Sequence, residues 1–342
     1  MKILYSPAHA LHQPKAFLKA GLLAPNPEVA ARATVIAASL EACGFELVTP
    51  SDHGLDPLIS VHNPELVHFL SSAHGAWMKN PLAGPEILPN VHPGARFRHR
   101  PQSVVGQAGY FMQDTACPIS AGTWDAVVGA ANAAVEAAAS VGTNDGRAAF
   151  ALCRPPGHHA TRDQAGGFCY LNNAAIAAQA LCDRFQRVAI IDVDVHHGNG
   201  TQDIFYDRGD VFFTSIHGHP DNYYPFFSGT AAERGEGAGL ECNYNVPFPV
   251  GSGDAEVMHS FRQALASVRD YAPEALVVSL GFDAHEKDPH GGHRVSTAAF
   301  LKMSEALSAL GLPTVLVQEG GYLHDELGDL ACSFLKAFDG AG

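Results

Sequence analysis

Five short runs in this chain are almost unbroken in apolarity: Ala149–Cys153, Val188–Asp192, Val211–Ile216, Ala275–Leu280 and Thr314–Val317. A strand with one wet face alternates apolar and polar residues, whereas a strand covered on both faces reads as a continuous apolar run. Between these runs lie stretches with apolar residues at helical spacing: Pro27–Cys43, Thr123–Ala139, Asn172–Phe185, Ala255–Tyr271, Thr297–Leu310 and Asp325–Phe338. Many of them end near Gly or Pro, which stop helices. The alternation predicts an α/β protein with a mostly parallel sheet sandwiched between helices.

No repeat or linker interrupts the 342 residues, a length at the upper end of one α/β domain, so a single domain over residues 1–342 is expected. One segment, from about Ala73 to Gly122, carries Pro81, Pro85, Pro89, Pro93, Pro101 and Pro118 and little periodicity. It reads as a loop-rich insertion, and insertions of that length serve as active-site rims or contact surfaces. The N-terminus, Met1 to Pro7, opens on a short strand-like run without a basic region or a long apolar one, so no signal peptide is expected. No stretch reaches the ~18 apolar residues of a membrane helix. The seven cysteines are scattered, without a Cys-x-x-Cys pair. Free thiols in a reducing cytoplasm are the expectation. The formal charge of −14 argues against nucleic acid, whose phosphates need clustered Lys and Arg.

Nineteen histidines invite a search for a metal site. The run after Val188 continues Asp192-Val193-Asp194-Val195-His196-His197-Gly198-Asn199-Gly200. Strand alternation puts Asp192, Asp194 and His196 on one side, at the sheet edge where ligands bind. Asp283, just beyond Ala275–Leu280, can add a third ligand to Asp194 and His196. An Asp/His/Asp set with an open position is what a hydrolytic zinc site requires. Arg154-Pro155-Pro156-Gly157-His158-His159 is a stiff turn presenting two imidazoles, one of them a general base, with Asp192 able to orient one of the rings. Glu319-Gly320-Gly321-Tyr322 offers a phenol that can donate to an oxyanion.

Together with Gly166-Gly167-Phe168-Cys169-Tyr170-Leu171-Asn172-Asn173, these motifs resemble the zinc-dependent histone deacetylase superfamily, in its class II-like and bacterial acetylpolyamine amidohydrolase branch. The resemblance covers residues 149 to 323 in family order. It implies the single-domain arginase/deacetylase fold, with a sheet of about eight strands and helices on both faces. It also implies removal of acetyl groups from acylated amines, most simply acetylpolyamines or related small amines. In that reading Asp194, His196 and Asp283 bind zinc, and His159 is base and acid. His158, held by Asp192, is its electrostatic partner, and Tyr322 polarises the carbonyl. Phe168, Phe227 and His290 would line a channel, with the Gly167 carbonyl receiving the substrate amide. Potassium near Asp192 and Ser215, a homodimer formed through the insertion and a cytoplasmic location are implied as well. Two departures stand out. Val105 occupies the place where acetylpolyamine enzymes carry a glutamate for the distal ammonium, and His290, with His285, His293 and Glu286 nearby, makes the rim polar. An acetyl-lysine deacetylase and a catalytically dead sensor of acetylated amines remain the alternatives.

Overall fold

A computed structural model describes residues 1–94, 99–143 and 146–340. The strands are β1 (Lys2–Leu4), β2 (Ala16–Lys19), β3 (Leu22–Pro25), β4 (Leu47–Val48), β5 (Ala148–Ala151), β6 (Val188–Asp192), β7 (Val211–Gly218), β8 (Asn243–Phe248), β9 (Ala275–Leu280) and β10 (Thr314–Gln318). The helices are α1 (Ala31–Ala42), α2 (Asp56–Ile59), α3 (Pro64–Trp77), α4 (Val104–Phe111), α5 (Thr123–Ser140), α6 (Asn173–Cys182), α7 (Asn199–Phe205), α8 (Asp254–Tyr271), α9 (Thr297–Ser308) and α10 (Leu327–Gly340).

Eight strands form one sheet in the order β4-β1-β5-β10-β9-β6-β7-β8, and every pairing in it is parallel. The five apolar runs are its middle. Successive residues of a strand point to opposite faces. Accordingly Val188 and Ile190 enter a core shared with α3, α4, α5 and α6, while Ala189 and Ile191 enter a core shared with α1, α8, α9 and α10. Alanines on α5 let that helix approach the sheet closely: Ala130, Ala131, Ala134 and Ala137 are buried.

Four sheet neighbours, β5, β10, β9 and β6, end side by side. Their C-terminal loops are the tandem-histidine turn, the Gly-Gly-Tyr turn, the Asp283 loop and the Asp194–His196 loop. The parallel arrangement thus converges four motifs that the sequence spreads over about half its length.

Several boundaries differ from the sequence expectation. The first helix begins at Ala31 rather than Pro27, because Asn26 Oδ1 accepts from Glu28 N and the Glu28 carboxylate is held by arginines instead of lying on a helix. Three further strand regions lie outside the sequence expectation: β4 spans only two residues, β8 is interrupted by Asn243 and Asn245, and β2 and β3 are four-residue strands of an antiparallel hairpin. Within the segment Ala73–Gly122, which reads as irregular, α3 persists to Trp77 and α4 forms over Val104–Phe111. Gly106 and Gly109 mask α4 in the sequence. Gly109 is needed because a Cβ there would lie 1.7 Å from the Val91 carbonyl oxygen, where another strip of the insertion crosses the helix. Residues 95–98 of the insertion, and 144, 145, 341 and 342 of the chain, lie outside the described residues. No helix among the described residues is long and apolar enough to cross a membrane.

The expectation of seven free thiols is corrected. Cys43, at the end of α1, is bonded to Cys332 on α10, with their Cα atoms 6.7 Å apart. The partners are separated by 289 residues, and only the packing of α1 on α10 brings them together, so their spacing carried no signal. Thiol titration of unreduced, denatured protein should therefore find five reactive cysteines, those at 117, 153, 169, 182 and 242. A count of seven would remove the crosslink.

Candidate active site

The floor of the site is built by Asp194, His196 and Asp283. His196 Nδ1 stands 3.1 Å from Asp194 Oδ1 and 3.1 Å from Asp283 Oδ2, and both carboxylates are fully buried. One ligand atom from each residue lies within 4.8 Å of the others. Backbone amides hold the carboxylates in place: Gly320 N donates to Asp194 Oδ2, and Val195 N donates to Asp283 Oδ1. The surrounding glycines keep the space open. A Cβ on Gly281 would fall 2.1 Å from Asp194 Oδ2, and one on Gly320 would fall 2.1 Å from Asp283 Oδ2. Two buried carboxylates this close repel each other unless a cation sits between them. The donor set, two oxygens and an imidazole, fits a divalent metal.

The tandem histidines face this floor, each anchored at Nδ1. His158 Nδ1 donates to Asp192 Oδ2 at 2.9 Å. Burial works against charge on His158, yet the carboxylates of Asp192 and Asp194 outweigh it and push its pKa up to about 10. His159 is opposite in character. Burial, reinforced by the neighbouring His158 and His196, holds it well below the ordinary histidine range and therefore neutral. Its Nδ1 lies 2.7 Å from Asn199 Oδ1, and Asn199 Nδ2 donates to Gln113 Oε1. With the amide so oriented, Asn199 can only accept, so Nδ1 carries the hydrogen and Nε2 is left with its lone pair.

Tyr322 follows Gly320 and Gly321 and lines the same pocket, its phenol pKa raised well above 10 by burial. It therefore stays protonated and able to donate. Its backbone N donates to Asp288 Oδ2 at 2.6 Å, and the Arg32 guanidinium packs 5.0 Å from its ring centre.

The pocket above these groups has a volume of about 290 Å³. Phe168 and Gly167 line it as expected, both with positive φ. A Cβ on Gly167 would meet the His159 ring at 2.4 Å, which requires glycine there. His290 also lines it, with its ring 4.9 Å from that of Tyr322. Phe227 is corrected: it is 99% exposed, and Phe226, in a left-handed conformation after Pro225, takes the wall position instead. The polar rim is also narrower than expected. His285 is buried against His324 and bonded to Thr297, and His293 is buried against Tyr223 and Phe248, so neither reaches the pocket.

Sequence reasoning missed the groups that stand behind the site. Glu319 Oε2 accepts from the backbone N–H groups of both Gly157 and His158, which ties the Gly-Gly-Tyr turn to the tandem-histidine turn. Glu28, fully buried, receives Arg32 and Arg154 on the same oxygen at 2.8 Å each. Arg32 continues to the carbonyls of Glu319 and Gly321, and Arg154 to those of His9 and His12. The signal available was Arg154 itself, an arginine directly after a buried strand, which requires a buried acid somewhere in the chain.

The architecture and the site define a hydrolase acting on amide bonds, and the chain belongs to the histone deacetylase family: residues 26–338 match the histone deacetylase domain. Within the family it falls in the acetylpolyamine amidohydrolase branch. It is 44% identical over 343 residues to acetylpolyamine amidohydrolase 2 of Pseudomonas aeruginosa, covering 99% of both chains. Identity to the acetylpolyamine amidohydrolase of Burkholderia pseudomallei is 44% over 340 residues, 99% of this chain and 98% of that one. A crystal structure of acetylpolyamine aminohydrolase from the same organism superposes with a TM-score of 0.96 at 43% identity, covering 100% of this chain and 99% of that one.

Glu28 gives the frame a testable dependence. Burial raises its carboxyl pKa, but Arg154 and Arg32 outweigh burial and hold it below the usual range. Its stabilisation is then fully present above the unfolded carboxyl value, about 4.3, and is lost as pH falls through the lower folded value. Glu28→Ala should cost about 3–5 kcal/mol, because two guanidiniums lose their counter-ion in a dry site. Urea denaturation at pH 7 and at pH 4 measures both effects. A loss under about 1 kcal/mol at pH 7, against that expectation, would show that the network is peripheral.

Proposed function

We propose that this chain is a zinc-dependent deacetylase of small acetylated amines, the class that includes the acetylpolyamines named for its relatives. The observation that carries the reading is the convergence of Asp194, His196 and Asp283 with His158, His159 and Tyr322 at the floor of one pocket. Asp194, His196 and Asp283 would hold the zinc, which when bound polarises the acetyl carbonyl and makes water more acidic. Asp192 and Ser215, cross-strand partners on β6 and β7, are the groups around which a potassium ion would sit.

The chain's own residues account for the rest of the chemistry. His159 Nε2, unprotonated because Nδ1–H is committed to Asn199, takes a proton from the attacking water and returns it to the departing amine nitrogen. His158, charged and fixed on Asp192, stabilises the negative charge that builds up in the transition state. The Tyr322 phenol donates to the oxyanion of the tetrahedral intermediate. Phe168, Phe17 and Phe226 enclose the aliphatic stem and exclude bulk water.

Tyr322→Phe should lower kcat on an unactivated acetylamine by on the order of 10²-fold or more, as loss of an oxyanion donor does elsewhere. Retention of full turnover would remove the assigned role. Dialysis against a chelator should abolish turnover, and one equivalent of zinc per chain should restore it. Activity indifferent to both treatments would contradict the metal reading.

A further inference from the structure

We propose that the outer channel selects acetylated amines whose far end is anionic, with Lys19 as the specificity-determining residue, and disfavours those ending in a second ammonium. The inference rests on the deacetylase reading above and names the kind of amine that reading leaves open.

The outer wall is apolar: Phe17, Pro27, Ala116, Phe168 and Phe226 face the pocket. The only carboxylates among its lining residues are Asp194 and Asp283, and both belong to the metal-binding cluster on the floor. Four further acids bond to lining residues: Asp192 and Glu319, both fully buried, are engaged with His158, and Asp114 and Asp288 are occupied as well. Asp114 accepts from the Tyr224 hydroxyl, Gly167 N and Ala116 N. Asp288 accepts from His290 N, Gly291 N and Tyr322 N. Each of these two carboxylates already accepts three hydrogen bonds from the protein. Val105, where the resemblance expects a glutamate for that purpose, lies on α4 and is not among the lining residues.

The charge that does face the pocket is positive. Lys19 ends β2 on the exposed hairpin beside Phe17 and lines the mouth. His290 lies close enough to feel it: burial first, then Lys19, His196 and Arg32, oppose protonation of that imidazole, with Asp288 pulling the other way. A substrate stem that runs from the floor past Phe168 therefore delivers its far end to an ammonium and a neutral imidazole. The chain's net charge of −14 would draw cations from a distance, but salt screens that field beyond about 8 Å, and the groups at the mouth decide what is held there. A four-carbon lysine stem can follow the mobile end of a substrate without a preformed cage.

The test compares kcat/KM on the zinc-loaded full chain for three acetamides of similar reach: 6-acetamidohexanoate, N-acetylhexylamine and N-acetylcadaverine. One unit charge at contact distance near a protein surface changes binding by about tenfold, so the anionic amide should exceed the cationic one by about tenfold or more. The ratio should shrink in high salt. Lys19→Glu should invert the order, and Lys19→Met should bring the charged pair to within a few-fold of each other. Preference of the wild type for N-acetylcadaverine, or a ratio unmoved by Lys19→Glu, overturns the proposal while leaving the deacetylase reading intact. Failure to hydrolyse any of the three amides would instead sink that reading, and this inference with it.

Discussion

A carboxylate buried as completely as that of Glu28 persists only if opposite charge holds it, and here two guanidiniums do so from different parts of the chain. Arg154 begins the tandem-histidine turn. Arg32 sits on α1 and reaches the backbone of the Gly-Gly-Tyr turn. One carboxylate therefore couples the turn that presents His158 and His159 to the turn that presents Tyr322. Glu319 adds a second tie between the same two turns from the opposite direction. The side chains of the candidate site come from loops, which tend to be mobile, and buried ion pairs and backbone hydrogen bonds are what fix them relative to one another.

Two adjacent buried histidines differ in charge because the carboxylates of Asp192 and Asp194 outweigh burial at His158, whereas burial, reinforced by His158 and His196, governs His159. His158 faces a carboxylate and is charged, whereas His159 faces a carboxamide and is neutral. A charged group beside a neutral base is a useful division for amide hydrolysis. One stabilises developing negative charge, and the other remains free to accept a proton at neutral pH. Asn199, which fixes the tautomer of His159, lies at the start of α7, four residues beyond Val195 on the loop that carries His196.

Much of the fold was legible in the chain. Continuous apolar runs such as Val188–Asp192 and Ala275–Leu280 identify strands of a two-sided parallel sheet, since only burial on both faces tolerates them. The motifs of the candidate site were legible too, because carboxylates and paired imidazoles directly after such strands are costly unless paired or metal-bound, and the structure brings them to one pocket. What stayed hidden has physical reasons. The strand β8 carries Asn243 and Asn245 within a buried polar network, which breaks its apolar pattern. The helix α4 is masked by Gly106 and Gly109, of which Gly109 is required by the backbone crossing at Val91. The choice of Phe226 over Phe227 depends on a left-handed residue beyond Pro225, and sequence spacing does not report that.

The sequence by itself determined the chemistry on offer. Asp194, His196, Asp283, His158, His159 and Tyr322 stand at strand ends because local pattern and residue type put them there. Tertiary structure decided everything that depends on proximity across the chain. It joined Cys43 to Cys332, set Glu28 between Arg32 and Arg154, and gave His159 an asparagine rather than an acid. It also placed Lys19, from a hairpin near the N-terminus, at the mouth of a pocket built mainly by residues beyond position 150. Short-range pattern fixes secondary structure and residue type, while long-range contacts form only when a parallel sheet brings distant strand ends side by side. The electrostatics of the site, which set its protonation states, belong to those contacts.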